Sequence, residues 1–161
     1  MTQDADKPVK VVRATYEAKQ KVGGGGFSDK MIQAAEKRMK DAAEIFPSAA
    51  KHDMDKLNAI LAEIRNGNVS QELVLRIKTS AHEIRVNGQM FQYPLVSAVA
   101  ESLVSFCEAI KTLSGLPVEV IALHLKTLKI ALDQGPRAIM ERDRVELLSG
   151  LEKACAKALE A

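Results

Sequence analysis

The chain has 161 residues, of which 47% are hydrophobic and only 4% aromatic, with no Trp. This length suits a single domain that buries its own core without disulfides or bound metals. The formal net charge is +2, and basic residues are not grouped with aromatic ones as in a nucleic-acid-binding surface, so we expect no nucleic-acid partner. A core rich in Leu, Ile, Val, Ala and Met favours an all-α fold.

Residues 1–27 are predicted to form a flexible basic tail. Residues 1–26 carry five basic and three acidic side chains, and the tail ends in the glycine run at positions 23–26, whose large backbone entropy favours a linker. The run lacks both the Lys-Ser/Thr of a phosphate-binding loop and a preceding strand, so nucleotide binding is not expected. The helical domain is expected over residues 28–161.

One or two helices are predicted at the start of this domain. Ser28 is a candidate N-cap, and apolar residues then recur at helical spacing as far as Phe46. Pro47 is expected to end or bend this helix and is well placed to begin the next one. Asn66-Gly67-Asn68 is a turn sequence that ends the second helix. One or two N-terminal helices therefore precede the main body.

Four principal helices are predicted after this turn. Tyr93-Pro94 breaks the apolar pattern because the residue before proline disfavours the α region, and so short a connection implies an antiparallel hairpin. No alternating strand pattern and no internal repeat is present. The predicted fold is all-α, an antiparallel up-and-down four-helix bundle with one or two additional N-terminal helices. The four helices are expected from Ser70 to about Gln92, from Pro94 to about Leu113, from Val118 to Leu132, and from about Arg142 to Leu159.

His82 lies on the first of these four helices and is the most informative residue of the chain. At ~100° per residue, the apolar positions of this helix share one face, and His82 lies roughly 160° from Ile84. The imidazole is therefore expected in solvent, between Lys78 and Arg85. This arrangement suits a phosphoryl acceptor, and an ordinary solvent-facing histidine is the alternative. The predicted inward face consists of Leu73, Ile77, Ala81, Ile84, Gly88 and Phe91.

The segment from Arg76 to Glu108 resembles a histidine phosphotransfer domain. The motif of that family is His, any residue, Leu or Ile, Lys or Arg, then usually a small residue, and this chain has His82-Glu83-Ile84-Arg85-Val86. Phe91 and Tyr93-Pro94-Leu95 are similar in spacing to the helical turn of a group of stand-alone bacterial phosphotransfer proteins of the alphaproteobacterial type. The basic, glycine-containing leader also resembles that group. The resemblance implies a helical bundle that acts in a bacterial phosphorelay of the two-component kind.

The resemblance implies that His82 accepts a phosphoryl group from a receiver-domain aspartate and passes it to another receiver. The nucleophile must be an exposed, neutral ring nitrogen. Arg85, one turn after His82, and Lys78, one turn before it, can place positive charge at the phosphoryl oxygens. The docking surface around them is expected to contain Leu75, Thr79, Val86 and Gln89.

The implied partners are receiver domains of response regulators, a hybrid histidine kinase, or both. The Mg²⁺ that such transfer needs belongs to the acidic pocket of the receiver, so no cofactor or metal is expected on this chain. The chain carries no ATP-binding sequence and is therefore expected to be a phosphotransfer intermediate, not a kinase or an independent catalyst. No heptad seam beyond an ordinary bundle core is visible, which favours a monomer.

Val86 departs from the family pattern, because a small residue usually stands four positions after the histidine. The branched valine could hinder in-line transfer and still support docking. The alternative function is therefore a phosphorylation-incompetent module that binds receivers or other signalling proteins through the same face. A helical bundle unrelated to the family is a third interpretation.

Other candidate chemistry is weak. His52 lies beside acidic residues, but adjacent helical residues point apart, so a solvated helix face is the better interpretation than a metal site. His124 lies in a very apolar helix and is expected to be a packed or rim residue. Cys107 and Cys155 are expected to be buried thiols in a reducing compartment.

Without a signal peptide or a membrane-spanning apolar run, we expect a cytoplasmic protein without membrane contact. The methionines, among them Met31, Met39, Met54, Met90 and Met140, are expected to fill the core.

Overall fold

A computed structural model describes residues 28–136 and 141–160, and this part of the chain is all-α, as predicted. It contains five α-helices and no strand. The tail predicted over residues 1–27 lies outside the described residues, as does Met140. The helices are α1 (Asp29–Arg65), α2 (Gln71–Met90), α3 (Pro94–Ala109), α4 (Leu116–Gln134) and α5 (Glu141–Glu160).

The chain divides into two compact units, Met1–Arg38 and Met39–Ala161. Residues 28–38 are the described part of the first unit, and each of them is exposed. The Ser28 Oγ accepts a hydrogen bond of 3.4 Å from the backbone N–H of Met31, which confirms the predicted N-cap.

The prediction that Pro47 separates two helices is wrong, because Pro47 lies inside the continuous helix α1. An interior proline removes one helical hydrogen bond and costs roughly 3 kcal/mol. Phe46, beside it, is buried, and its ring centroid lies 5.4 Å from that of Phe91 and 4.8 Å from that of Tyr93. Burial of Phe46 and of Ala50 offsets this cost, since burying one large apolar side chain is worth about 1.5–3 kcal/mol.

The turns that connect α1 to α2 and α2 to α3 lie at the predicted positions. Gly67 follows α1 with a φ of +92°, and the Ser70 side chain accepts a hydrogen bond from the N–H of Leu73 at the start of α2. Pro94 stands in the first turn of α3. Between them, Gln92 has a φ of +63°, and the N–H of Tyr93 donates to the carbonyl of Gly88 at 2.7 Å. This is the Schellman arrangement, here with glutamine in the position that glycine usually takes.

The inward face of α2 is close to the one predicted, with Phe91 half-buried at its end. α2 packs against α3, which also contacts α4 and α5, and α4 contacts α5. A Cβ at Gly88 would lie 2.9 Å from Ser97 Oγ and 3.3 Å from Ser97 N, so α2 approaches α3 there because residue 88 has no side chain. The buried residues of this face are Leu73, Ile77, Ala81, Ile84 and Gly88.

Several predicted core positions lie on the surface instead. Met54 is buried as expected, but Met31, Met39 and Met90 are exposed. In α5, Leu151 is buried, whereas Val145 and Leu159 are exposed. These two lie roughly 120° and 80° around the helix from Leu151, and so fall just outside its narrow buried face. No helix in the described part of the chain is long and apolar enough to cross a membrane.

Candidate functional site

His82 lies on the exposed side of α2, as the helical spacing predicted. Its Nδ1 lies 3.4 Å from the Nη2 of Arg85, one turn further along the helix. This distance is longer than the 2.7–3.2 Å of an ordinary N–H hydrogen bond. The guanidinium can only donate, so a hydrogen bond here uses the Nδ1 lone pair as its acceptor. Within the described residues no group is hydrogen-bonded to Nε2, which leaves it as the open nitrogen of the ring.

Both cations of the predicted site are paired with carboxylates of α3. Arg85 Nη1 lies 2.7 Å from Glu101 Oε2, and Lys78 Nζ lies 2.6 Å from Glu108 Oε1. The hydrogen bond from Lys78, together with its charge, lowers the pKa of the Glu108 carboxyl. These four side chains therefore have no net charge, and an incoming phosphoryl group would have to share or displace the carboxylates.

Arg85 is anchored by more than its ion pair. Ser97 Oγ donates a hydrogen bond of 2.8 Å to the backbone carbonyl of Arg85, which joins this turn of α2 to α3. The Nε of Arg85 is buried and has no hydrogen-bond partner among the described residues. The guanidinium therefore works through its two terminal nitrogens, one towards Glu101 and one towards His82.

An open groove of about 720 Å³ begins at Arg85 and runs between α2 and α3. Both polar and apolar side chains line it, and Gly88 lies where α2 approaches α3 closely. A groove of this kind can admit the edge of a partner beside His82. The lining side chains include Arg85, Gln89, Gln92, Ser97 and Glu101.

The outward side of α2 also carries an apolar stripe. Leu75 is 61% exposed and Val86 40% exposed, on the arc of the helix that holds His82. Thr79 and Gln89 are exposed on the same arc, so the structure brings the predicted surface residues together. Sequence reasoning missed Met90, which is exposed here and which the helical wheel places ~60° from Leu75. Apolar side chains beside an exposed histidine are suited to protein docking.

Sequence reasoning also missed Glu101 and Glu108. The sequence contained a signal for both. Glu101 follows the connection at residues 91–93 by nearly as many positions as Arg85 precedes it, and the same holds for Glu108 and Lys78. Had the two helices been considered together as the predicted antiparallel pair, these residues would have been expected to face each other. The prediction treated α2 alone and so left its cations unpaired.

His124 lies in a completely different environment, since it is fully buried. Its Nδ1 lies 2.8 Å from the carbonyl of Val120 and its Nε2 lies 3.0 Å from Ser102 Oγ. The first nitrogen therefore donates to the carbonyl, and the second accepts from the hydroxyl. The Phe106 ring is stacked on the imidazole with centroids 5.9 Å apart. Burial lowers the pKa of His124, so the ring is a neutral, satisfied core group.

A cavity of about 500 Å³ between α3 and α5 reaches Ser102 and Cys155, whose Sγ lies 3.8 Å from the Nε2 of His124. Cys107 is buried as expected, whereas Cys155 is only partly buried. Burial raises the pKa of the Cys155 thiol, and it raises the pKa of Cys107 to about 12. Both thiols are therefore protonated at neutral pH and poorly nucleophilic. His52 is exposed on α1. In residues 28–136 and 141–160, no cluster of three or more His, Cys, Asp or Glu side chains is placed to hold a metal.

No protein-family model matches the chain, and no curated protein and no solved structure matches it either.

Proposed function

We propose that this chain is a histidine phosphotransfer protein, which accepts a phosphoryl group on His82 from a receiver aspartate and passes it to another receiver. The observation that carries the proposal is the exposed imidazole of His82 with the guanidinium of Arg85 at its Nδ1. A nucleophilic nitrogen beside a fixed cation is what phosphoryl transfer needs, because this reaction depends mainly on positioning and charge stabilisation.

The proposed fold is an antiparallel up-and-down four-helix bundle made of α2 to α5, with α1 as the additional N-terminal helix. The ion pairs between α2 and α3 support this arrangement, since Lys78 near the start of α2 meets Glu108 at the end of α3. Arg76 of α2 likewise pairs with Glu63 of α1, while Phe46 of α1 contacts Phe91 at the other end of α2. The two ion pairs each join the first half of α2 to the C-terminal end of a neighbouring helix.

In the proposed transfer, the lone pair of His82 Nε2 attacks the phosphorus of the receiver aspartyl phosphate. The N–P bond forms, the P–O bond breaks, and the aspartate leaves as a carboxylate. For Nε2 to hold the lone pair, the proton of the neutral ring must be on Nδ1. Arg85 Nη2 must therefore leave Nδ1, and the arriving phosphoryl group offers it an anionic acceptor in addition to Glu101. Movement of Arg85 and activation of His82 thus occur together.

Partners and location follow from this proposal. Leu75, Val86 and Met90 would contact the receiver around its phosphorylated aspartate, and the Mg²⁺ would be held by the receiver. We propose a cytoplasmic monomer that needs no cofactor of its own and has neither nucleic-acid nor membrane partners. A hybrid histidine kinase is a further partner of the same chemical kind, because it carries a receiver aspartate.

The second candidate function is a docking module that binds receivers and is not phosphorylated. Two observations favour it: Val86 projects from the docking face, and Arg85 and Lys78 are both paired with carboxylates. A branched side chain beside the ring and neutralised cations would both slow in-line transfer. This candidate shares the partner and the surface with the first, and differs only in the fate of the phosphoryl group.

The test is incubation of the full chain with a panel of phosphorylated receivers from the same cell, followed by measurement of acid-labile phosphate. His82→Gln is expected to abolish the label. His52→Gln is the matched control, since His52 is also exposed, and it is expected to keep the label. Receiver binding without label on the parent chain would instead establish the docking module. Label on the His82→Gln variant would refute both.

A further inference from the structure

Glu101 shares the one guanidinium that contacts His82, and this inference about it rests on the proposed function. Arg85 Nη1 lies 2.7 Å from Glu101, whereas Arg85 Nη2 lies 3.4 Å from His82 Nδ1. The carboxylate contact is thus much the shorter one. The Ser97 hydroxyl holds the backbone of Arg85 at 2.8 Å, so the side chain, and not the helix, must move if the guanidinium changes partner.

A phosphoryl group on Nε2 would create a second anion within reach of the same guanidinium. Such a group carries about 1.5 to 2 negative charges at neutral pH. Glu101 is a half-exposed carboxylate, with a side-chain exposure of 54%, so its charge is screened only in part. Two anions that share one cation repel each other, and each weakens the hold of the cation on the other.

We propose that Glu101 is a positioning residue that competes with the phosphoryl group for Arg85 and so keeps phosphorylated His82 easy to discharge. Retention of Arg85 by Glu101 prevents the guanidinium from binding the phosphoryl oxygens fully. In the second half of the relay, the N–P bond breaks and a receiver aspartate forms the new P–O bond. A phosphohistidine that is held less tightly favours this step.

The experiment uses phosphoramidate as a small phosphoryl donor, so it needs no receiver. The P–N bond of the donor breaks, ammonia leaves, and the N–P bond forms on the imidazole. The full chain is used with His52→Gln as the background, because the chain has three histidines and His124 is fully buried. ³¹P NMR then follows the second ionisation of the phosphoryl group with pH, in the background protein and with Glu101→Gln added.

Glu101→Gln is expected to lower the pH at the midpoint of the ³¹P titration by about half a unit, because removal of a nearby negative charge favours the dianion. With a receiver present, the same change is expected to shift the phosphoryl partition about threefold towards His82. Circular dichroism confirms that the variant is folded, and a role in folding alone would leave the midpoint unmoved.

Two controls separate competition for Arg85 from simple charge. Glu63→Gln removes the carboxylate partner of Arg76, which lies on α2 like Arg85. This variant is expected to leave the pH midpoint of the ³¹P titration within ~0.1 unit, because distant surface charges are screened. In an Arg85→Gln background, Glu101→Gln is expected to lose at least half of its effect. An unchanged midpoint for Glu101→Gln, or a full effect without Arg85, would overturn the proposal.

Failure of the proposed role of Glu101 can be distinguished from failure of the proposed relay function. If receivers transfer nothing but the phosphoramidate-labelled chain shows the Arg85-dependent shift, the relay function fails and the competition stands. If receivers do transfer and the midpoint does not depend on Glu101, the relay stands and the competition fails. A His82 ring that takes no phosphoryl group from either donor contradicts both.

Discussion

Two histidines of this chain lie in opposite environments, one on the face of α2 and one in the core beneath α3. His82 is exposed, and among the described residues its one hydrogen-bond contact is with Arg85. His124 is fully buried, with hydrogen bonds at both ring nitrogens and Phe106 stacked on its face. The first keeps an open nitrogen for chemistry, and the second has none. Exposure and an unused hydrogen-bonding nitrogen, and not residue type alone, therefore decide which histidine is a candidate nucleophile.

The same contrast extends to charge. The neighbours of His82 are ion pairs, since Arg85 and Lys78 each contact a carboxylate of α3. The neighbours of His124 are neutral groups, and burial lowers its pKa. The proposed phosphoryl group on His82 would lie beside cations, whereas a charged ring would be costly in the core.

The largest effect is expected from removal of the buried ring. His124→Ala is expected to lower the free energy of unfolding by about 2–4 kcal/mol, because it leaves a cavity under Phe106 and a hydroxyl of Ser102 without its acceptor. His82→Ala is the matched control, and it is expected to change that free energy by less than about 0.5 kcal/mol. Urea denaturation followed by circular dichroism measures both. Equal losses for the two variants would contradict the contrast.

The next effect is a dependence of stability on pH that comes from His124. Because its folded pKa is lowered from 6.5, the unfolded chain takes up a proton first as the pH falls. The contribution of His124 is therefore fully present above about pH 6.5 and is lost as the pH falls through its folded pKa, with a slope of at most ~1.4 kcal/mol per pH unit.

Urea denaturation at a series of pH values between 7.5 and 5 tests this dependence, with those limits chosen roughly one to one and a half units around the free histidine pKa. His52→Gln is expected to keep the slope, since His52 is exposed, and His124→Leu is expected to reduce it. A slope that is the same in the His124→Leu variant would show that other groups cause it.

The smallest effect concerns the docking face around His82. Val86→Ala is expected to speed phosphoryl transfer from a receiver by ~3- to 10-fold, which corresponds to ~0.7–1.4 kcal/mol of relieved crowding in the transition state. Leu75→Ala removes apolar area from the same stripe but does not reduce crowding beside the His82 imidazole. It is expected to weaken receiver binding instead. Rapid-quench kinetics at several receiver concentrations separates the two effects. If both variants weaken receiver binding and neither speeds transfer, Val86 is a contact residue and does not hinder transfer.

Local patterns allowed much of this structure to be predicted from sequence. The spacing of Leu73, Ile77 and Ile84 fixed the buried side of α2 and hence the exposure of His82, and Tyr93-Pro94 marked the connection to α3. These features depend on residues within a few turns of one another. The all-α class follows from the same periodicity.

The features that were missed depend on contacts between distant segments. α1 continues through Pro47 because Phe46 is buried against Phe91 and Tyr93, residues more than forty positions away in the sequence. The exposure of Val145 depends on how narrow a face of α5 is covered. The pairing of Arg85 with Glu101 depends on the register of α2 against α3, which no single helix reveals.

The most direct test of the account is to find the atom that receives the phosphoryl group. The chain, labelled with ¹⁵N in its histidines, is phosphorylated by a purified phosphorylated receiver and studied by ³¹P and ¹⁵N NMR. We expect a single phosphoramidate on Nε2 of His82, the nitrogen that Arg85 leaves open. A phosphoryl group on Nδ1 of His82, on His52, or on no histidine while the receiver still binds would contradict it.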